Sequence, residues 1–184
     1  MKNKLFVIAI AALVLATLAA GSLAYFTDET TTHNVITSGG VTIELLEWAD
    51  EAKTEPFPAK EGVSGVMPGQ SVTKIAEVKN TGAGDAWVRV KITKAIELAA
   101  GVNATPDLDL VQLALNTDDW TVDGEYYYYN KSLAPGETTA PLLESVTFSA
   151  DMGDEYQNAK AHVTLKVEAT QTANNGTTAL NAHW

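Results

Sequence analysis

Three histidines, His33, His162 and His183, are the only imidazoles in the chain, and no cysteine is present. Zinc peptidases of the common kind use His-Glu-x-x-His, which sets two imidazoles on one helical face beside a general base. The histidines here are scattered, one within an alternating stretch and one a residue from the C-terminus. A Gly-x-Ser-x-Gly elbow is missing, so a serine triad would have to be assembled wholly from distant segments. No glycine-rich strand-to-helix loop is present to cradle a nucleotide. The expectation is a chain with no catalytic residues, no resident metal and no cofactor.

Two weaker patterns remain. Asp119-x-Thr121-x-Asp123-Gly124 opens like a calcium loop, with oxygen ligands at alternate positions and Gly sixth. The twelfth position is Asn130 where such loops need a bidentate Glu, and a hairpin turn at Asp123-Gly124 accounts for the same residues. Structural calcium near Asp151, Asp154 and Glu155 is the other option, without supporting spacing. The run Tyr126 to Tyr129 sets two rings on each face of a strand. Tyr127 and Trp87, the latter beside Arg89 and Lys91 on the polar face of its strand, are the candidate surface contacts for a sugar or protein partner.

The elements that carry these residues follow a period of two. Val41, Ile43 and Leu45 alternate with Thr42 and Glu44. Ala86, Val88, Val90 and Ile92 alternate with Trp87, Arg89, Lys91 and Thr93, and Val163, Leu165, Val167 and Ala169 alternate with His162, Thr164, Lys166 and Glu168. Each set predicts a half-buried antiparallel strand. Gly39-Gly40, Pro68-Gly69, Asn80-Thr81-Gly82, Asp123-Gly124 and Pro135-Gly136 punctuate them as turns. Short strands at this spacing predict an all-β sandwich or barrel. Pro-Gly before a Thr-bearing stretch and then an apolar strand occurs twice, at Met67 to Gly82 and Leu133 to Ala150, which predicts one turn-to-strand device used twice. Thr105 to Asn116, with Leu108, Val111, Leu113 and Leu115, is the one stretch whose spacing a helix could use. Asp50 to Gly65, with Pro56 and Pro58, is expected as an excursion between strands.

The N-terminus has a different character. Lys2 and Lys4 precede Leu5 to Ala20, which carry no charge, and Gly21-Ser22-Leu23-Ala24 are small. These are the basic, apolar and small-residue parts of a secretory signal peptide, with Ser22 and Ala24 at the peptidase-facing positions before a cut at Tyr25. An uncleaved membrane helix is the alternative, since about 20 residues span a bilayer. A pilin-type leader fits less well, because no Gly precedes Leu5. Removing residues 1–24 takes away two lysines and no acid, leaving 10 basic and 23 acidic side chains, a net of −13. A surface so acidic repels nucleic acid and anionic lipid. No second apolar span and no Leu-Pro-x-Thr-Gly motif occurs, so no stable membrane insertion is expected after cleavage.

"AYFTD" (Ala24 to Asp28), "SGGVTIEL" (Ser38 to Leu45), "VMPGQSVTKIAEVKNTGAGDAWVRVKI" (Val66 to Ile92) and "VEATQ" (Val167 to Gln171) together resemble the TasA/camelysin group of exported bacterial proteins, over nearly the whole chain and in order. "WTVDGEYYYYNKSLAPGETTAPLLESVTF" (Trp120 to Phe148) is similar to a segment common among short members. The resemblance implies a leader removed by the dedicated signal peptidase SipW, and a jelly-roll β-sandwich with one or two short helices in its connections. It also implies secretion to the extracellular matrix of a biofilm or to the cell or spore surface, with assembly into fibres and contact with other matrix proteins. Some members carry a metalloprotease label, so a camelysin-type metalloendopeptidase is the alternative function. The chain is shorter than TasA and lacks its long insertions and charged tail.

The expected organisation is therefore a signal peptide at 1–24, an extended segment at 25–38, a β-sandwich at 39–172 and a tail at 173–184. Tyr25 to Ser38 has no Pro or Gly and places apolar side chains at Tyr25, Phe26, Val35 and Ile36. A strand-like segment freed at a cut could complete the sheet of the next copy, satisfying its unpaired edge. An ordinary first strand of its own domain is the competing expectation.

Overall fold

The computed structural model describes residues 34–37, 41–58, 63 and 66–184. The leader with Ser22 and Ala24, and Tyr25 and Phe26 of the extended segment, lie outside the described residues. None of the described helices is long and apolar enough to cross a membrane.

The described chain is built mostly of strands, in two sheets. They are β1 (Asn34–Thr37), β2 (Ile43–Trp48), β3 (Ser71–Asn80), β4 (Ala86–Glu97), β5 (Val111–Leu115), β6 (Trp120–Asp123), β7 (Tyr126–Tyr129), β8 (Leu143–Phe148) and β9 (Lys160–Gln171). One sheet has the order β1-β9-β4-β7-β6 and the other β2-β3-β8-β5. Every pairing is antiparallel except that of β1 with β9. The two sheets share one core: Val88, Val90, Val163, Leu165 and Val167 from the first meet Ile43, Leu45, Val78, Leu143 and Val146 from the second. The alternation read in the sequence is this burial, since only one parity of each strand can face the partner sheet. In β9, Ala161, Val163, Leu165 and Val167 are buried while His162, Thr164 and Lys166 between them are half-buried.

Residues 105–116 form no α-helix. A single 3₁₀ turn at Leu108–Leu110, capped by the Asp107 carboxylate accepting from the Asp109 amide at 2.9 Å, leads directly into β5. Val111, Leu113 and Leu115 fall two apart and turn the same side of an edge strand toward the core, which a helical spacing would scatter.

The repeated Pro-Gly device is real at atomic level. Gln70 N–H donates to Met67 C=O at 3.0 Å and Glu137 N–H to Ala134 C=O at 3.0 Å, with Gly69 and Gly136 at φ +81° and +83°. Each is a type II turn, which needs positive φ at its third residue. In both, the side chain after the glycine reaches back, Gln70 Oε1 accepting from Met67 N–H at 3.0 Å and Glu137 Oε2 from Ala134 N–H at 3.1 Å. A Cβ on Gly136 would meet nothing within 4 Å. Gly136→Ala therefore isolates the backbone cost, and the expected loss is about 1–2 kcal/mol in a denaturant titration. An unchanged midpoint would rule out the left-handed turn.

Candidate functional site: open sheet edges and a covered aromatic face

The long strands β4 and β9 form the spine of the first sheet, paired from Ala86↔Gln171 to Glu97↔Lys160. On the far edge of β9, β1 adds only four residues in parallel, Asn34↔Lys166 to Thr37↔Ala169, with Val35 opposite Val167 and Ile36 opposite Glu168. The end of the expected donor segment is thus a strand on its own sheet. On the other edge of β4, β7 pairs only with Arg89 and Val90.

Trp87 is not a surface contact. It is 8% exposed, packs against Tyr128 and Ala179, and its Nε1 donates to Asn175 C=O at 2.9 Å. The outward parity of β4 is right, but residues 173–184, expected as a tail, fold back over that face. Asn175, itself buried, fastens them: its Nδ2 donates to Thr170 Oγ1 and Gln171 C=O at 3.0 Å, and its Oδ1 accepts from His183 N–H at 2.7 Å. Trp184 closes edge-on against Tyr128, with ring centroids 5.9 Å apart. Arg89 lies between two rings, 4.1 Å from Tyr126 and 4.3 Å from Trp184, and its Nε donates to Glu168 Oε2 at 2.7 Å. Burial pushes the Glu168 carboxyl up, but Lys166 and Arg89 outweigh it and hold the group below its ordinary value.

The tyrosine run alternates as its spacing predicts. Tyr129 is buried against Trp120 with centroids 5.0 Å apart, and Tyr128 faces the covered outer side. Tyr127 is half-buried and packs against the shared core at the wall of an opening between the sheets. Thr121 and Asp123 alternate with the buried Trp120 along β6, and Asp119 stands in the turn just before the strand. Gly124, at φ +59°, and Glu125 form the two-residue loop to β7. The oxygens have other partners: Lys131 Nζ donates to Asp119 at 2.9 Å and keeps its carboxyl low, and Thr121 Oγ1 donates to Asn130 at 2.7 Å. The hairpin reading therefore holds. Among the described residues no group of three or more His, Asp or Glu could hold a metal ion. His162 Nε2 lies 4.0 Å from Glu97, His183 belongs to the C-terminal fold-back, and His33 is outside the described residues.

One charged pair in the core was not foreseen. Lys74 is 1% exposed, its Nζ is 2.9 Å from Glu47 Oε1, and the Phe57 ring lies over it at 3.7 Å. Residues 50–57 supply that ring by looping out from β2 and returning through the Trp48↔Pro56 bridge, with the Asp50 carboxylate accepting from the Thr54 and Glu55 amides.

Comparison with known protein families, with curated proteins and with solved structures finds no match.

Proposed function

We propose that this chain is a secreted structural protein of an extracellular matrix or cell surface, a jelly-roll-like β-sandwich that assembles into fibres through its N-terminal segment. A dedicated signal peptidase cuts before Tyr25, and the freed segment from Tyr25 to His33, ahead of β1, completes the sheet of the next copy. Head-to-tail addition of this kind does not close on itself, so it produces filaments.

The observation that supports this reading most is the pairing of Asn34–Thr37 along β9. The end of the segment has strand geometry, and it lies at a sheet edge with the rest of the segment directly upstream. Nine residues from Tyr25 to His33 extend to about 30 Å, enough to run the length of another sheet. The acidic surface keeps such a protein soluble and away from nucleic acid until its edges meet.

The test is deletion of Tyr25 to His33 from the exported chain, which leaves β1 in place, with negative-stain imaging of both forms. Fibres from the intact chain and none from the deleted one are expected. Fibres that persist unchanged in the deleted form would sink the proposal.

A further inference from the structure

The chain contains one Asn-Gly pair, Asn175-Gly176, and the fold imposes both residues. Gly176 stands at φ +72°, and a Cβ there would come within 2.8 Å of the Asn181 carbonyl oxygen. A side chain at this position meets both the strained backbone and that close approach, so glycine is required. Asn175, 7% exposed, works through its amide. Its Nδ2 approaches Thr170 Oγ1 and the carbonyls of Gln171 and His183 at 3.0, 3.0 and 3.1 Å, and its Oδ1 accepts from His183 N–H at 2.7 Å. A carboxylate could not donate to those carbonyls, so the amide is required too.

Asparagine followed by glycine is also the pair of residues most prone to lose its amide, because a following residue without a Cβ leaves its backbone nitrogen free to reach the side chain before it. We propose that Asn175-Gly176 is a self-modifying site that the C-terminal fold-back holds in check, so that deamidation makes an opening of the fold-back permanent. In the first step the Gly176 backbone nitrogen gives up its proton and bonds to Asn175 Cγ. The Cγ–Nδ2 bond breaks, ammonia leaves with that proton, and a cyclic imide closes. Water then adds to one of the two imide carbonyls and the C–N bond there breaks. The product at 175 is an aspartate, or the isomer whose main chain runs through the side-chain carbonyl. One water is consumed and one ammonia released, and no oxidant, reductant or metal takes part.

The folded arrangement blocks the first step. Bringing Cγ onto the Gly176 nitrogen turns the amide away from Thr170, Gln171 and His183 and breaks every bond it makes. The backbone is held as well, since Asn175 N–H donates to Thr172 C=O at 3.2 Å and Asn175 C=O accepts from Trp87 Nε1 at 2.9 Å. Residues 176–184 therefore have to lift before the ring closes, and that local opening is the gate.

Reclosing after the reaction is opposed. A carboxylate at 175 sets a negative oxygen against the Gln171 and His183 carbonyls that Nδ2 had bridged, in a site shielded from water. The isomer lengthens the main chain by a methylene and displaces Gly176 from its close approach to Asn181. Trp87, Tyr128 and Arg89 then stay without the cover of Ala179 and Trp184.

The exported full chain, held at mildly alkaline pH in native buffer and in parallel in denaturing urea, supplies the test. Peptide mapping by mass spectrometry reads the exchange of NH for O at each asparagine. In urea, Asn175 should convert ahead of Asn103 and Asn158, both of which precede alanine. In native buffer its conversion should be at least about tenfold slower than in urea, the mark of a gate that is seldom open. Chains converted at 175 and returned to native buffer should be cleaved within 176–184 by a protease dose that spares unconverted chains. Conversion in urea no faster than at Asn103 or Asn158 overturns the site, and equal rates in the two conditions overturn the gate. Asn175→Asp supplies the aspartate product without the reaction. With an unchanged circular dichroism spectrum it should be cleaved in the same segment, and protease resistance in that folded variant or in the converted chains overturns the permanence of the release.

Discussion

Lys74→Met lowers the stability of the folded domain by about 3–5 kcal/mol, because it removes the ammonium that lies 2.9 Å from the buried Glu47 carboxylate. The pair sits at the inner face of β2 and β3, with the Glu47 side chain 5% and the Lys74 side chain 2% exposed. Phe57 closes it from solvent and contributes a cation–π contact. Buried ion pairs of this kind give back much of their mutual attraction as lost hydration, so their removal as a unit behaves differently from the removal of one member. Glu47→Leu combined with Lys74→Met should recover most of the loss, within about 1 kcal/mol of the unsubstituted chain. Urea titrations of the two single variants and the double variant form a mutant cycle that reads this directly. A Lys74→Met protein as stable as the original would show that the two charges are not coupled in the core.

Asn175→Ala releases the C-terminal fold-back and costs about 2–3 kcal/mol, since it removes bonds at both ends of one buried amide. The side chain ties Thr170 and Gln171 of β9 to His183 across eight residues. With the amide gone, residues 176–184 lose their fastening to the sheet, and Trp87, Tyr128 and Arg89 lose the cover of Ala179 and Trp184. Proteolysis should then cleave within 176–184 at enzyme concentrations that spare the original chain. The aromatic face so exposed should also bind a hydrophobic dye. An Asn175→Ala chain with unchanged protease resistance would mean that the ring contacts alone hold the fold-back.

The strands were legible because burial on one parity leaves a period of two that nothing local disguises. Both Pro-Gly turns and the Asp-Gly hairpin were legible for the same kind of reason, since each needs a residue type at a fixed place. The buried pair carried a signal that was available as well. Glu47 shares its parity with Val41, Ile43 and Leu45, and Lys74 shares its parity with Val72, Ala76 and Val78. An acid and a base, each on the apolar parity of its strand, are the mark of an internal ion pair. Trp87 was misread because parity says which side a residue faces and not what covers that side. The cover comes from Asn175 to Trp184, whose short 3₁₀ turn at Ala179–Asn181 has no period to detect. The stretch 105–116 was ambiguous because Leu108, three residues before Val111, adds to the alternation of Val111, Leu113 and Leu115 a spacing that a helix also satisfies.

The central claim is that a cut before Tyr25 turns a tethered strand into a donor. Electron microscopy of the chain beginning at Tyr25, beside the uncleaved chain at the same concentration, tests it most directly. Filaments from the chain that begins at Tyr25 and none from the uncleaved form are predicted. Filaments from both alike, or from neither, would contradict it.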